Sequence, residues 1–154
     1  MKWITRERPK VDRIACPWLI ERFIDTAPEF LFVPPPDVAR VAAELGAIPY
    51  DVEGVELSHE GPLCSFDAML RKYGLTDPAL LELAVIVRGA DTAQPQLAPQ
   101  CAGLLAISLG LSHCFTDDHE QLAHGMVLYD ALYAWCRHAR QESHTWNPQR
   151  SAAA

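Results

Sequence analysis

None of the apolar runs in the 154 residues is long enough to cross a bilayer; the longest, near Leu104 to Leu111, falls far short of the roughly 20 residues a spanning helix needs. The opening MKWITRERPK lacks the apolar stretch of a secretory signal. The five cysteines, Cys16, Cys64, Cys101, Cys114 and Cys136, form no CxxC pair and no zinc-finger spacing, and their odd number disfavours a disulfide framework. A reducing, cytoplasmic setting is therefore expected. Neither GxGxxG nor GxxxxGK[ST] occurs, so no nucleotide cofactor is expected, and the serine-hydrolase elbow GxSxG is missing too.

Positive charge is also scarce. Thirteen basic residues stand against twenty acidic ones, a net charge of −7 that argues against nucleic acid as a partner of this chain alone. The exception is the N-terminal strip, where Lys2, Arg6, Arg8, Lys10 and Arg13 face only Glu7 and Asp12. Such an edge is either solvated or in contact with an anion.

What remains describes a globular protein: 49% of residues are apolar and 21% charged. A chain of this length buries roughly 70% of its unfolded surface and supports its own core. A single domain over residues 1–142 is expected, followed by a loosely ordered tail over 143–154.

Trp3 to Thr5 read as a short strand. Val11, Ile14, Ala15, Trp18, Leu19 and Phe23 then recur at helical spacing, with Asp12 as N-cap and with Pro17 predicted to delay or kink the helix. Phe30 to Val33 read as an internal strand stopped by Pro34, Pro35 and Pro36. A helix from about Asp37 to Leu45 is closed by Gly46, and Ile48 to Tyr50 form a weaker third strand with Val55 to Leu57 as a hairpin partner. Beyond Gly61 the period is helical. Ser65 caps one helix, Asp77-Pro78 opens the next, Cys101 to Leu111 read as a buried helix, and Asp117 with Glu120 has capping-box spacing before a long last helix. The fold class is thus α/β or α+β, with a small N-terminal β-α-β-α-β sheet and a largely helical C-terminal half.

Chemistry concentrates in Ser58-His59-Glu60-Gly61-Pro62-Leu63-Cys64-Ser65-Phe66-Asp67 and in Arg88-Gly89-Ala90-Asp91. An antiparallel pair of helices turning about Gly74 would return Asp91 toward Asp67, with His59 folded over the same end. Imidazole and carboxylates around one point bind a divalent metal ion or shuttle a proton. The same residues also fit structural roles, His59 as a cap and Asp91 paired with an arginine. Glu120 and His124 share a helical face near His113 and His119, a weaker metal candidate. Cys16 stands near a helix N-terminus beside Arg13, where its thiol pKa is expected to fall; it also reads as a packing cysteine.

Trp3-Ile4-Thr5-Arg6, Val11-Asp12-Arg13-Ile14-Ala15-Cys16-Pro17-Trp18-Leu19-Ile20, Ser58-His59, Cys64-Ser65-Phe66-Asp67 and Ile86-Val87-Arg88-Gly89-Ala90-Asp91 together resemble the ChrB-type chromate-resistance protein family over roughly residues 2 to 136. The resemblance implies a bacterial chromate-resistance setting and an accessory or sensory role, in a form without the extra N-terminal region of longer members that is thought to contact DNA. Longer members often carry a histidine at the position of Arg88. The implied ligand is a metal ion, through His59, Asp67 and Asp91, or a small oxyanion, through Arg6, Arg13, Cys16 and Arg88. Arginines near helix N-termini suit a tetrahedral dianion such as chromate. The rival reading is an enzyme, either a thiol-dependent reductase using Cys16 or a metal-assisted hydrolase; a homo-oligomer fits any of these. Thiol titration of the denatured, unreduced protein should find five free cysteines, and three or fewer would reverse the compartment argument.

Overall fold

The computed structural model describes residues 1–149. Three parallel strands, β1 (Lys2–Arg6), β2 (Glu29–Val33) and β3 (Ile48–Pro49), lie in the order β2-β1-β3. The first strand is therefore the central one, and Trp3, Ile4 and Thr5 have no exposed surface. Its two faces serve different layers. Trp3 packs with α1 (Asp12–Leu19) and the later helices in the main core, whereas Ile4 packs with Val38 and Ala42 of α2 (Val38–Leu45) in a small second core. Phe30 to Val33 were expected inside the sheet; they form an edge strand, because β3 pairs with the other side of β1.

After the sheet come α3 (Ser65–Lys72), α4 (Pro78–Asp91), α5 (Cys101–Cys114) and α6 (Asp118–Ala134). Asp77 caps α4 through the Ala79 N–H with Pro78 at the first helical position, and Asp117 caps α6 through the Glu120 N–H, as the spacing predicts. Gly46 ends α2 in the left-handed conformation that favours glycine. Two helix contacts depend on glycine for another reason. A Cβ on Gly125 of α6 would lie 2.4 Å from Ile14 Cγ2 of α1, and one on Gly89 of α4 would lie 2.3 Å from Cys101 Sγ of α5. No helix among the described residues is long and apolar enough to cross a membrane.

Several local expectations are corrected. α1 starts at Asp12 despite Pro17, and its continuation, Ile20–Ile24, is a π-helical turn. The widened turn shifts the helical period, so Phe23 leaves the buried face and is 37% exposed. Val55 to Leu57 make no hairpin; a single parallel bridge joins Leu57 to Tyr50. Cys64, not Ser65, is the N-cap of α3. The helix expected to be buried, α5, leaves Ile107 and Leu109 about half exposed. In the predicted tail, residues 143–149 are exposed, and 150–154 lie outside the described residues.

Asp25 anchors the start of the central strand. Its carboxylate accepts from the Met1 ammonium at 2.8 Å and from the Trp3 indole at 2.9 Å, and these donors hold its pKa down at about 2. Because the folded value lies below the unfolded one, the unfolded chain takes up the proton first, and the stabilisation is lost as pH falls. Relative to Asp25→Asn, the wild type should therefore keep a constant stability margin above about pH 5 that shrinks toward pH 2 in urea titrations. A margin independent of pH would rule this anchor out.

Candidate functional site

In the order β2-β1-β3 the chain leaves β1 to one side and later returns to the other, so the carboxyl ends of β1 and β3 open a crevice of the kind that receives ligands in parallel sheets. Arg6 closes β1 at that point, and Asp51 follows β3 with a positive φ of 50°, which aspartate tolerates. The turn into α1 is more costly. Val11 has φ 43°, an unusual conformation for a β-branched residue and worth about 1–3 kcal/mol of strain. Helix α6 holds that turn, since the Tyr129 hydroxyl donates to the Val11 carbonyl and the Gln121 amide to the Pro9 carbonyl.

The strained turn aims Asp12 inward. Asp12 was expected to cap its own helix; it is instead the first helical residue, and its fully buried carboxylate caps α3. The N–H groups of Ser65 and Phe66 donate to it at 2.7 and 3.1 Å, and the Cys16 thiol at 3.3 Å. Asp91, at the end of α4, accepts from the Asp12 backbone N–H at 3.4 Å.

His59 completes the group from the loop before α3. Its Nε2 lies 2.9 Å from Asp91 Oδ2, 3.3 Å from Asp51 Oδ1 and 3.6 Å from Asp12 Oδ2. One ligand atom from each of Asp12, His59 and Asp91 fits within 4.8 Å of the others, a spacing that suits a cation. Burial, and then repulsion from the neighbouring carboxylates, raises the pKa of both Asp12 and Asp91, with His59 opposing the shift at Asp91. Arg6 Nη2 at 3.0 Å and Arg13 Nε at 3.4 Å both pair with Asp51. A cleft of about 460 Å³, lined by Arg6, Asp51, Ser58 and His59, opens the centre to solvent.

Of the three residues expected to converge, the structure places His59 and Asp91 side by side. Asp67 stands apart: it pairs with Arg88 through two hydrogen bonds of 2.8 and 2.9 Å and accepts from the Cys64 N–H at the start of α3. The geometry that was to bring Asp91 back toward Asp67 brings it to Asp12, because α4 packs against α1 as well as α3. Of the two readings of Cys16, the structure gives the packing cysteine and not the activated thiol. Burial, and then the nearby Asp12 and Asp51 charges, push its thiol pKa well up, so the thiolate is disfavoured. On the last helices, His124 stacks on Phe115 and His119 meets Phe32 edge-on, so each faces an aromatic ring. Asp12 and Asp51 were missed as site residues. Their signal was present, since Asp51 stands two residues past the end of β3 and Asp12 opens the helix after β1.

A profile of the family described as "ChrB, C-terminal domain" matches residues 3–136. The chain belongs to the ChrB C-terminal domain family. Protein ChrB of Cupriavidus metallidurans is 32% identical over 133 residues, which make up 86% of this chain and 40% of that relative. The chain thus spans less than half the length of the relative it matches. No solved structure matches it significantly.

Replacing Asp12 tests the buried cap in isolation. Asp12→Ala leaves two buried N–H groups without an acceptor and should cost about 3 kcal/mol in urea unfolding with chelator present, whereas Asp12→Asn, which keeps one acceptor, should cost less. Equal losses would show that the carboxylate's hydrogen bonds are not what holds α3.

Proposed function

We propose that this ChrB-family domain is an accessory or sensory component of a bacterial chromate response and that it binds a divalent metal ion through Asp12, His59 and Asp91, with Asp51 beside them. One observation carries this reading: His59 Nε2 lies 2.9 to 3.6 Å from oxygens of three separate carboxylates at the end of a parallel sheet. The raised pKa values of Asp12 and Asp91 point the same way, because a dication would stabilise both ionised forms. Imidazole and carboxylate donors suit zinc, manganese or iron better than soft cations.

The oxyanion alternative draws less support. Each arginine suited to it already has a carboxylate partner: Arg6 and Arg13 pair with Asp51, and Arg88 with Asp67. A chromate dianion in the cleft would also approach the carboxylates of Asp51, Asp91 and Asp12, whose charge repels it. The chromate setting itself rests on family membership.

Metal analysis and calorimetry with zinc and manganese should find about one ion per chain. His59→Ala and Asp91→Asn should each weaken binding at least tenfold, on the order of the loss usual for metal-site residues, while Arg88→Ala leaves it unchanged. Unaltered metal affinity in both site variants would overturn the metal assignment, and chromate binding that is lost with Arg88→Ala would replace it with an oxyanion.

A further inference from the structure

Helix α5 is packed with its two serines inward. Its buried positions are Cys101, Leu104, Ser108 and Ser112, whereas Ala102, Gly103, Ala106, Ile107, Leu109 and Gly110 are exposed. The serines are satisfied internally. Ser108 donates to the Leu104 carbonyl at 2.7 Å, and the carbonyl and hydroxyl of Ser112 both accept from Arg8. Serines inside, with an isoleucine and a leucine 49% and 43% exposed outside, reverse the usual arrangement of a surface helix.

The outward face is flanked by two apolar grooves. One, of about 500 Å³ between α4 and α5, is lined by small residues including Gly89, Ala90, Ala93 and Ala106; the other, of about 240 Å³ between α5 and α6, is bordered by Ile107, Leu128 and Leu132. No charged side chain lines either groove.

We propose that this face is the contact surface of a two-fold dimer of the chain, with α5 crossing its own copy antiparallel. Two properties select a second copy as the occupant. The first is charge: the chain carries −7, so two copies repel across most approaches, but the two grooves beside α5 have no charged lining. The second is shape. A two-fold interface needs a knob and its hole on the same face, and α5 presents Ile107 and Leu109 beside a groove with small-residue walls. Fourteen residues of helix run roughly 21 Å. A strip of that length and two helices wide buries roughly 1,000 Å² over both copies, the lower limit for a specific interface. An interface at that limit is weak and reversible. It is independent of the metal reading.

Ile107 lies at the middle of α5, so the two-fold places it near its own counterpart. Sedimentation equilibrium of the wild type between about 1 μM and 1 mM should show a monomer–dimer equilibrium within that concentration range. Ile107→Glu sets like charges opposite one another and should weaken dimerisation at least tenfold, while the thermal midpoint of the dilute monomer stays unchanged because the residue is half exposed. In a Cys114→Ser background, Ala106→Cys should form a disulfide-linked dimer under mild oxidation. A wild type that stays monomeric at about 1 mM overturns the proposal and leaves the face to a different partner. A dimer indifferent to Ile107→Glu and not captured by Ala106→Cys overturns it equally, because the contact then lies elsewhere.

Discussion

Asp12 is a carboxylate without exposed surface, and the domain is arranged around satisfying it. An isolated buried carboxylate is too costly to persist, so each of its oxygens needs donors from elements that would otherwise have no reason to converge. The N-terminus of α3 supplies two N–H groups, α1 supplies a thiol, and the end of α4 takes the Asp12 backbone N–H on Asp91. Three helices are thus tied at one point, above the carboxyl end of the central strand. The strained Val11 turn is the backbone conformation that delivers the side chain there, and α6 pins it from behind.

The same point gathers more negative charge than packing requires. Asp51, Asp91 and Asp12 surround one imidazole, and the two arginines that approach them both engage Asp51. Burial and mutual repulsion hold the Asp12 and Asp91 carboxyls above their ordinary pKa. A domain selected for stability alone would place a cation or an apolar residue here, since unpaired buried charge is destabilising. Strain, burial and like charge coincide at the crevice between β1 and β3, a position favoured for ligands in parallel sheets.

The far side of the helical layer has a different character. At the polar centre the buried Asp12 and Asp51 carboxylates have each been given donors, whereas α5 turns its serines inward and Ile107 and Leu109 toward solvent. The inward serines need only local acceptors and Arg8, so the monomer tolerates them. Gly89 lets α4 and α5 approach closely, and small residues line the groove beside it.

The strand–helix alternation of the first half, the Asp77-Pro78 and Asp117 caps, the Gly46 stop and the nearness of His59 to Asp91 were all legible in the sequence. They depend on period, turn chemistry and chain order, which act over a few residues or a single helical pair. The edge position of Phe30 to Val33 was not legible, because strand order is a choice among long-range pairings that the pattern of one strand does not encode. Nor was the exposure of Phe23, which follows from one π turn. Asp12 read as the cap of its own helix, and only the packing of α3 across α1 makes it the cap of another. Asp67, predicted as a ligand, is held by Arg88 for the same reason: which carboxylate meets His59 depends on how α4 packs against α1 and α3. The apolar run of α5 made it look buried, since an apolar sequence does not say what will cover it. Sequence alone therefore determined the elements and the residue types available for chemistry; tertiary packing decided which of them share a site, because desolvation and side-chain pairing exist only once the helices have met.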